Sequence, residues 1–151
     1  MISNPQPITD FTDVSACKPV RSYAFIFVCQ EGNLEIGSLL LAASLKRFLK
    51  CDYELIAAVP SPTDIMGTPN ELTKTILAEI GVRIVNIHNT LVSTTRRRKY
   101  HLITNKMYCL RVPTSAEKLI FMDSDYLCYQ EFHGESRFTI PFIHYRTLFA
   151  V

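Results

Sequence analysis

What the chain lacks narrows its function before any motif is considered. No apolar run approaches the length of a membrane span, and Leu39–Ala43 reads as the core of a helix. The opening carries Asp10 and Asp13, has three prolines before Arg21 and no apolar h-region, so it does not read as a signal peptide. A net charge of only +2 argues against bulk nucleic acid or an anionic membrane as partner. The five cysteines are an odd number without a CxxC pair. Cys29, Cys51 and Cys109 lie in or beside apolar stretches and read as small core residues in a reducing, cytoplasmic compartment. Glycine-rich phosphate loops are missing too. The first strand-to-helix turn, Glu31-Gly32-Asn33-Leu34-Glu35-Ile36-Gly37-Ser38, has no GxGxxG, and a P-loop would need lysine where Ser38 stands. Neither a dinucleotide enzyme nor an NTPase is supported. No internal repeat or low-complexity tract is present.

What is present suits one folded domain. With 151 residues, 48% of them hydrophobic and 20% charged, the chain can bury a real core. Residues 1–21 are polar and proline-bearing and read as a loose lead-in to a domain over 22–151. Tyr23–Cys29 is a strongly apolar first strand. A helix follows over Leu34–Lys50, with Ser38, Leu41, Leu45 and Phe48 on one face and Lys46, Arg47 and Lys50 at its C-terminal dipole. Tyr53–Val59 is a second strand closed by Pro60. Thr68-Pro69-Asn70-Glu71 predicts a helix capped by Thr68, running to Ile80 and stopped by Gly81. Val82–Ile87 is a third strand, and His88 to Leu102 reads as a long loop. Its Arg96-Arg97-Arg98-Lys99 run has no interleaved aromatics and reads as solvated rather than RNA-binding. A short helix is expected around Asn105–Val112, capped by Thr104 or Asn105, and Lys118–Met122 is a fourth strand.

Alternating strands and helices predict a three-layer α/β fold with a mostly parallel sheet. Right-handed crossovers in the doubly wound order place strands one and four side by side, with a ligand crevice at the switch point between Cys29 and Asp123. The run Leu119-Ile120-Phe121-Met122-Asp123-Ser124-Asp125 carries the chemistry. Its apolar part suits a strand buried on both faces, and a buried strand cannot keep two carboxylates among its apolar layers. They belong where the strand emerges, and in extended chain Asp123 and Asp125 can converge on one hard cation. A surface turn is the plain alternative, since Asp and Ser form turns readily. Lys106, placed at the first turn of its helix, can meet phosphate charge together with the free N–H groups there.

Asn105-Lys106-Met107-Tyr108-Cys109-Leu110 and Pro113-Thr114-Ser115-Ala116-Glu117-Lys118 lead into Leu119–Asp125 at a spacing similar to the nucleotide-sugar core of GT-A type glycosyltransferases. The pattern resembles that of glycogenin-like (family 8) retaining enzymes. Ala24–Val28 followed by Gly37–Leu45 is also similar to that family's first βα unit, and the likeness is collinear over roughly residues 23–130. The resemblance implies a GT-A (Rossmann-like) nucleotide-diphospho-sugar transferase fold and glycosyl transfer. It implies that Asp123 and Asp125 bind Mn²⁺ or Mg²⁺ on the diphosphate of a nucleotide-sugar, a UDP-sugar by the same likeness. It further implies that Lys106 approaches the donor, that Ser124 faces the ribose, and that Val28, Cys29 and Glu31 cradle the base. The family has polar Thr and Asn where Cys29 and Glu31 stand, and Tyr where Leu34 stands.

Family members continue past this motif into an acceptor-binding half with a histidine as third metal ligand, whereas 26 residues follow Asp125 here. His133 and His144 stand too close behind it to match that ligand. The expectation is therefore a truncated donor-binding half, possessing an apolar stretch from Phe138 to Val151 that favours self-association or a partner chain. The alternative function is a non-catalytic nucleotide-sugar-binding module. A further rival, the haloacid-dehalogenase-like phosphatases, also places DxD after an apolar strand. Those enzymes need the motif on their first strand, a small residue where Tyr126 stands and a downstream lysine, and no lysine follows Lys118.

Overall fold

A computed structural model describes residues 22–90, 98–134 and 142–144. Four parallel strands form the central sheet: β1 (Tyr23–Val28), β2 (Tyr53–Ser61), β3 (Val82–His88) and β4 (Lys118–Phe121), in the order β3-β2-β1-β4. Strands one and four are neighbours, with Tyr23 opposite Lys118 and Ile26 opposite Phe121. The topology thus reverses direction between β1 and β4, as the sequence pattern predicts.

Every residue of β1 is buried, and its side chains divide between two cores by the period-two geometry of a strand. Tyr23, Phe25, Phe27 and Cys29 pack with Leu41, Ala42 and Leu45 of α1 (Asn33–Phe48) and Leu77 of α3 (Glu71–Ile80). Ala24, Ile26 and Val28 face the opposite layer with Cys109 of α4 (Arg98–Cys109) and the following Val112. The result is three layers. Removing a ring such as that of Phe25, which is fully buried, would cost about 3–5 kcal/mol. The central strand is therefore a rigid platform for whatever its C-terminal end holds. Phe132, beyond the fourth strand, closes the first core with edge-on contacts to Tyr23 and Phe25 at 5.5 and 6.2 Å between ring centroids. A two-stranded antiparallel ladder joins β5 (Tyr126–Cys128) to β6 (Phe142–His144).

Several sequence expectations need correction. Pro60 does not close β2, which runs on to Ser61 opposite His88. The β1 ladder ends at Ala58, so beyond it a missing N–H on that side costs no partner. The α3 cap is Asn70, whose Oδ1 accepts from Thr73 N at 2.8 Å, and not Thr68. Gly81 does end α3, in the left-handed conformation at φ 95°. A short helix, α2 (Thr63–Met66), occupies a stretch to which the sequence pattern assigns no element. Ile120 packs against the first core and Leu119 and Phe121 against the second, so both faces are covered. All three are nonetheless only half-buried, because among the described residues β4 pairs only with β1 and forms the sheet edge. Most consequential, α4 begins at Arg98 instead of near Asn105, so Arg98 and Lys99 are helical; Arg96 and Arg97 fall outside the described residues. No helix among the described residues is long and apolar enough to cross a membrane.

Candidate functional site

The site lies at the C-terminal ends of β1 and β4. Met122 N donates to Ile26 O at 2.8 Å, which carries the pairing of the two strands one step past β4. The chain then turns: Tyr126 N donates to Asp123 O at 3.1 Å. Asp123-Ser124-Asp125 is therefore a tight turn and not the extended segment that the sequence pattern predicts. Asp and Ser favour such a turn, and the apolar strand ends where they begin.

Three features fix this turn to the platform. Ser124 Oγ donates to Val28 O at 2.5 Å, and Ser38 Oγ of α1 donates to the same carbonyl at 3.2 Å. The third is a close approach of backbone. A Cβ added at Gly37 would lie 2.5 Å from Ser124 O, so only glycine lets α1 sit this near the turn. Ser124 is buried and spends its hydroxyl inward on β1. The same arrangement leaves its two acidic neighbours only partly buried.

Asp123 is the more clearly defined of the two. Its Oδ2 accepts from Lys106 Nζ at 2.6 Å, with the two side chains 42% and 43% exposed. Lys106 Nζ also stands 5.7 Å from the centroid of the Phe121 ring, which borders the strand end. Because α4 starts at Arg98, Lys106 lies in its last turn and not its first. The free N–H groups expected beside it are therefore absent, and a lysine there is favoured by the negative C-terminal end of the helix. The helix itself is held from behind. Buried Asn105 accepts from Asn89 Nδ2 at 2.7 Å and turns its own Nδ2 to Met66 Sδ at 3.9 Å. Gln30 Nε2, just past β1, donates to Met66 O at 2.7 Å. A buried polar chain thus ties the end of β1 to α2, α4 and the end of β3, one residue away from Lys106.

The remaining predicted site residues are dispersed. Val28 is buried towards α4 and offers its carbonyl to two serines. Cys29 is fully buried on the α1 side. Burial pushes its thiol above the ordinary value, the Ser38 hydrogen bond works against that, and the Glu35 charge adds to it. Cys109, fully buried on the other face, is pushed up to about 12 by burial, so both thiols are protonated packing groups. Cys51 is half-buried beside the first core. Glu31 is exposed and lies against Gly67, where a Cβ would come 2.7 Å from its Oε2.

Sequence reasoning missed Glu35, Gly37, Asn89 and the interior role of Asn105. Glu35 accepts from Gly32 N at 3.1 Å, Asn70 N at 2.9 Å and Thr73 Oγ1 at 2.7 Å, joining the first turns of α1 and α3. Burial raises its carboxyl, but the bonds from Thr73, Asn70 and Gly32 outweigh it and hold the group below its ordinary 4.5. A polar residue on the apolar face of α1 was the available signal.

The chain matches a known family, described as the Rhodobacterales glycosyltransferase domain, over residues 25–147. It belongs to that family. No curated protein matches it significantly. The matched stretch spans all four sheet strands but the first two residues of β1, and it contains both site carboxylates and Lys106. Asp123 and Lys106 therefore stand at the sheet switch point of a glycosyltransferase domain. Among the described residues of this domain, no three His, Cys, Asp or Glu side chains cluster as a metal site. Asp123 and Asp125 alone are hard oxygen donors of the kind Mg²⁺ and Mn²⁺ prefer. They could supply part of an octahedral shell, with a diphosphate and water supplying the rest.

Proposed function

We propose that this domain binds a nucleotide-diphosphate sugar at the β1–β4 switch point and transfers its glycosyl group, in the manner of GT-A type, glycogenin-like enzymes. One observation carries the reading: a carboxylate turn fixed to the end of β4, with a lysine on a neighbouring helix already in contact with it. Carboxylates and a lysine side by side suit a ligand that brings its own negative charge and shares a cation with the protein. Asp123 and Asp125 would hold Mn²⁺ or Mg²⁺, which would supply Lewis-acid stabilisation of the charge on a departing nucleoside diphosphate. Lys106 would bind a phosphate oxygen by a charge-assisted hydrogen bond. Val28, Ser38 and Gly37 position the turn; they would act through its placement and not by touching the donor. Glu31, exposed at the opposite lip, is the side chain there that a base or ribose can reach.

Calorimetric titration tests the reading. UDP should bind weakly alone and at least tenfold more tightly with Mn²⁺, and Asp125→Ala should abolish that difference. Equal affinity with and without the ion would refute it. A domain that binds the donor but transfers nothing would instead support the non-catalytic module, which incubation with labelled UDP-sugars and candidate acceptors distinguishes.

A further inference from the structure

The Lys106–Asp123 contact has a consequence for how cation and donor bind, and it rests on the function proposed above. Lys106 Nζ sits 2.6 Å from Asp123 Oδ2, on one of the two oxygens the carboxylate could offer a divalent ion. Two positive groups on one carboxylate repel each other whichever oxygen each takes. At the same time, the pair is loosely held. Both side chains are more than two-fifths exposed, a setting in which ion pairs contribute at most about 1 kcal/mol. Its other contact is the Phe121 ring at 5.7 Å, which gives the ammonium group a second resting place without fixing it. The backbone on either side is firm by contrast. Asn105 is fully buried and bonded to Asn89, and the aspartate turn is fastened through Ser124 and Gly37. Lys106 can therefore move at its tip while its root and its target stay in place.

We infer that Lys106 is an exchangeable counter-ion of Asp123, so that cation and diphosphate bind cooperatively. Without a donor, Lys106 neutralises Asp123 and opposes a divalent cation. When a diphosphate arrives, Lys106 transfers to its oxygens and Asp123 becomes available, so each ligand removes an obstacle to the other. The coupling is reciprocal by thermodynamic necessity: whatever factor the diphosphate adds to cation affinity, the cation adds to diphosphate affinity. No covalent step is involved. Lys106 has two duties of opposite sign, and removing it should separate them.

The test measures two affinities on Lys106→Met, with Lys106→Gln as a second uncharged variant and Lys106→Arg as the charge-retaining control. Mn²⁺ binding without nucleotide is read from the loss of the free-ion electron paramagnetic resonance signal. UDP binding at saturating Mn²⁺ is read by calorimetry. Both uncharged variants should bind Mn²⁺ alone about 3- to 10-fold more tightly than wild type, the order expected when one screened charge is removed beside a divalent ion. They should bind UDP about tenfold more weakly, as for loss of a charge-assisted bond. Lys106→Arg should keep the weak Mn²⁺ binding of the wild type. Unchanged or weaker Mn²⁺ binding in folded Lys106→Met and Lys106→Gln would overturn the inference while leaving the donor site standing, provided wild type shows the Mn²⁺-dependent gain in UDP affinity. Absence of that gain in wild type would overturn the donor site itself. A general loss of structure would lower both affinities, so it cannot mimic the opposed shifts.

Discussion

Two carboxylates near the same end of the sheet, Glu35 and Asp123, have opposite surroundings. Glu35 is buried and surrounded by neutral donors, two backbone N–H groups and a hydroxyl, which join two helix starts. Asp123 is half-exposed and answered by one half-exposed lysine, Lys106. A carboxylate whose hydrogen bonds are filled by fixed neutral groups is committed to the fold. One whose partner is a long, solvated lysine can exchange that partner for a ligand. By this contrast the α1–α3 junction belongs to the fold and the β4 turn is the proposed site.

The contrast can be broken by substitution. Glu35→Ala should have the largest effect on stability, about 3 kcal/mol, because it orphans donors that are partly or wholly buried. Urea unfolding with an unchanged m-value would measure it, and a loss under 1 kcal/mol would show that the junction matters little. Gly37→Ala comes next. The added methyl must displace Ser124 O or shift α1, at a cost of about 1–3 kcal/mol. Because that carbonyl belongs to the aspartate turn, Mn²⁺-dependent UDP affinity should fall as well, an effect absent from Glu35→Ala if the two regions are independent.

Acid should sharpen the same distinction. Glu35's folded-state carboxyl is held below its ordinary 4.5, by hydrogen bonds that outweigh burial. Its contribution is therefore complete above that value and lost as pH falls through the folded-state value. Stability measured from pH 7 downwards should decline less in Glu35→Gln than in wild type, and parallel curves would contradict the assignment. The smallest expected stability change is at the site itself. Asp123→Asn should alter the unfolding free energy by less than about 1 kcal/mol, as for exposed ion pairs generally.

The parts of this architecture that were legible in the sequence are those written in local pattern. Short stretches rich in apolar residues placed β1, β2, β3 and β4, and the crossover rule then set β1 beside β4 and the aspartates at the switch point. The parts that were not legible depend on contacts distant in sequence. Asn70 replaces Thr68 as cap because Glu35, on another helix, accepts the Asn70 N–H and the Thr73 hydroxyl. The start of α4 was hidden because Arg96-Arg97-Arg98-Lys99 shows no apolar period, although arginine and lysine are good helix formers. That error moved Lys106 from the last turn to the first and supplied the wrong reason for its importance. Gly37 reads in the sequence as an ordinary helical glycine, and only the folded chain shows what it approaches.

The central claim is that Asp123, and not its better-bonded neighbour Glu35, serves the ligand. Its most direct test is the free Mn²⁺ resonance signal of wild type, Asp123→Asn and Glu35→Gln as UDP is added, each read as the uptake beyond that of UDP and Mn²⁺ without protein. Wild type and Glu35→Gln should take up Mn²⁺ when UDP is present, and Asp123→Asn should leave the Mn²⁺ to UDP free in solution. Equal uptake by Asp123→Asn, or loss of uptake confined to a well-folded Glu35→Gln, would contradict the account.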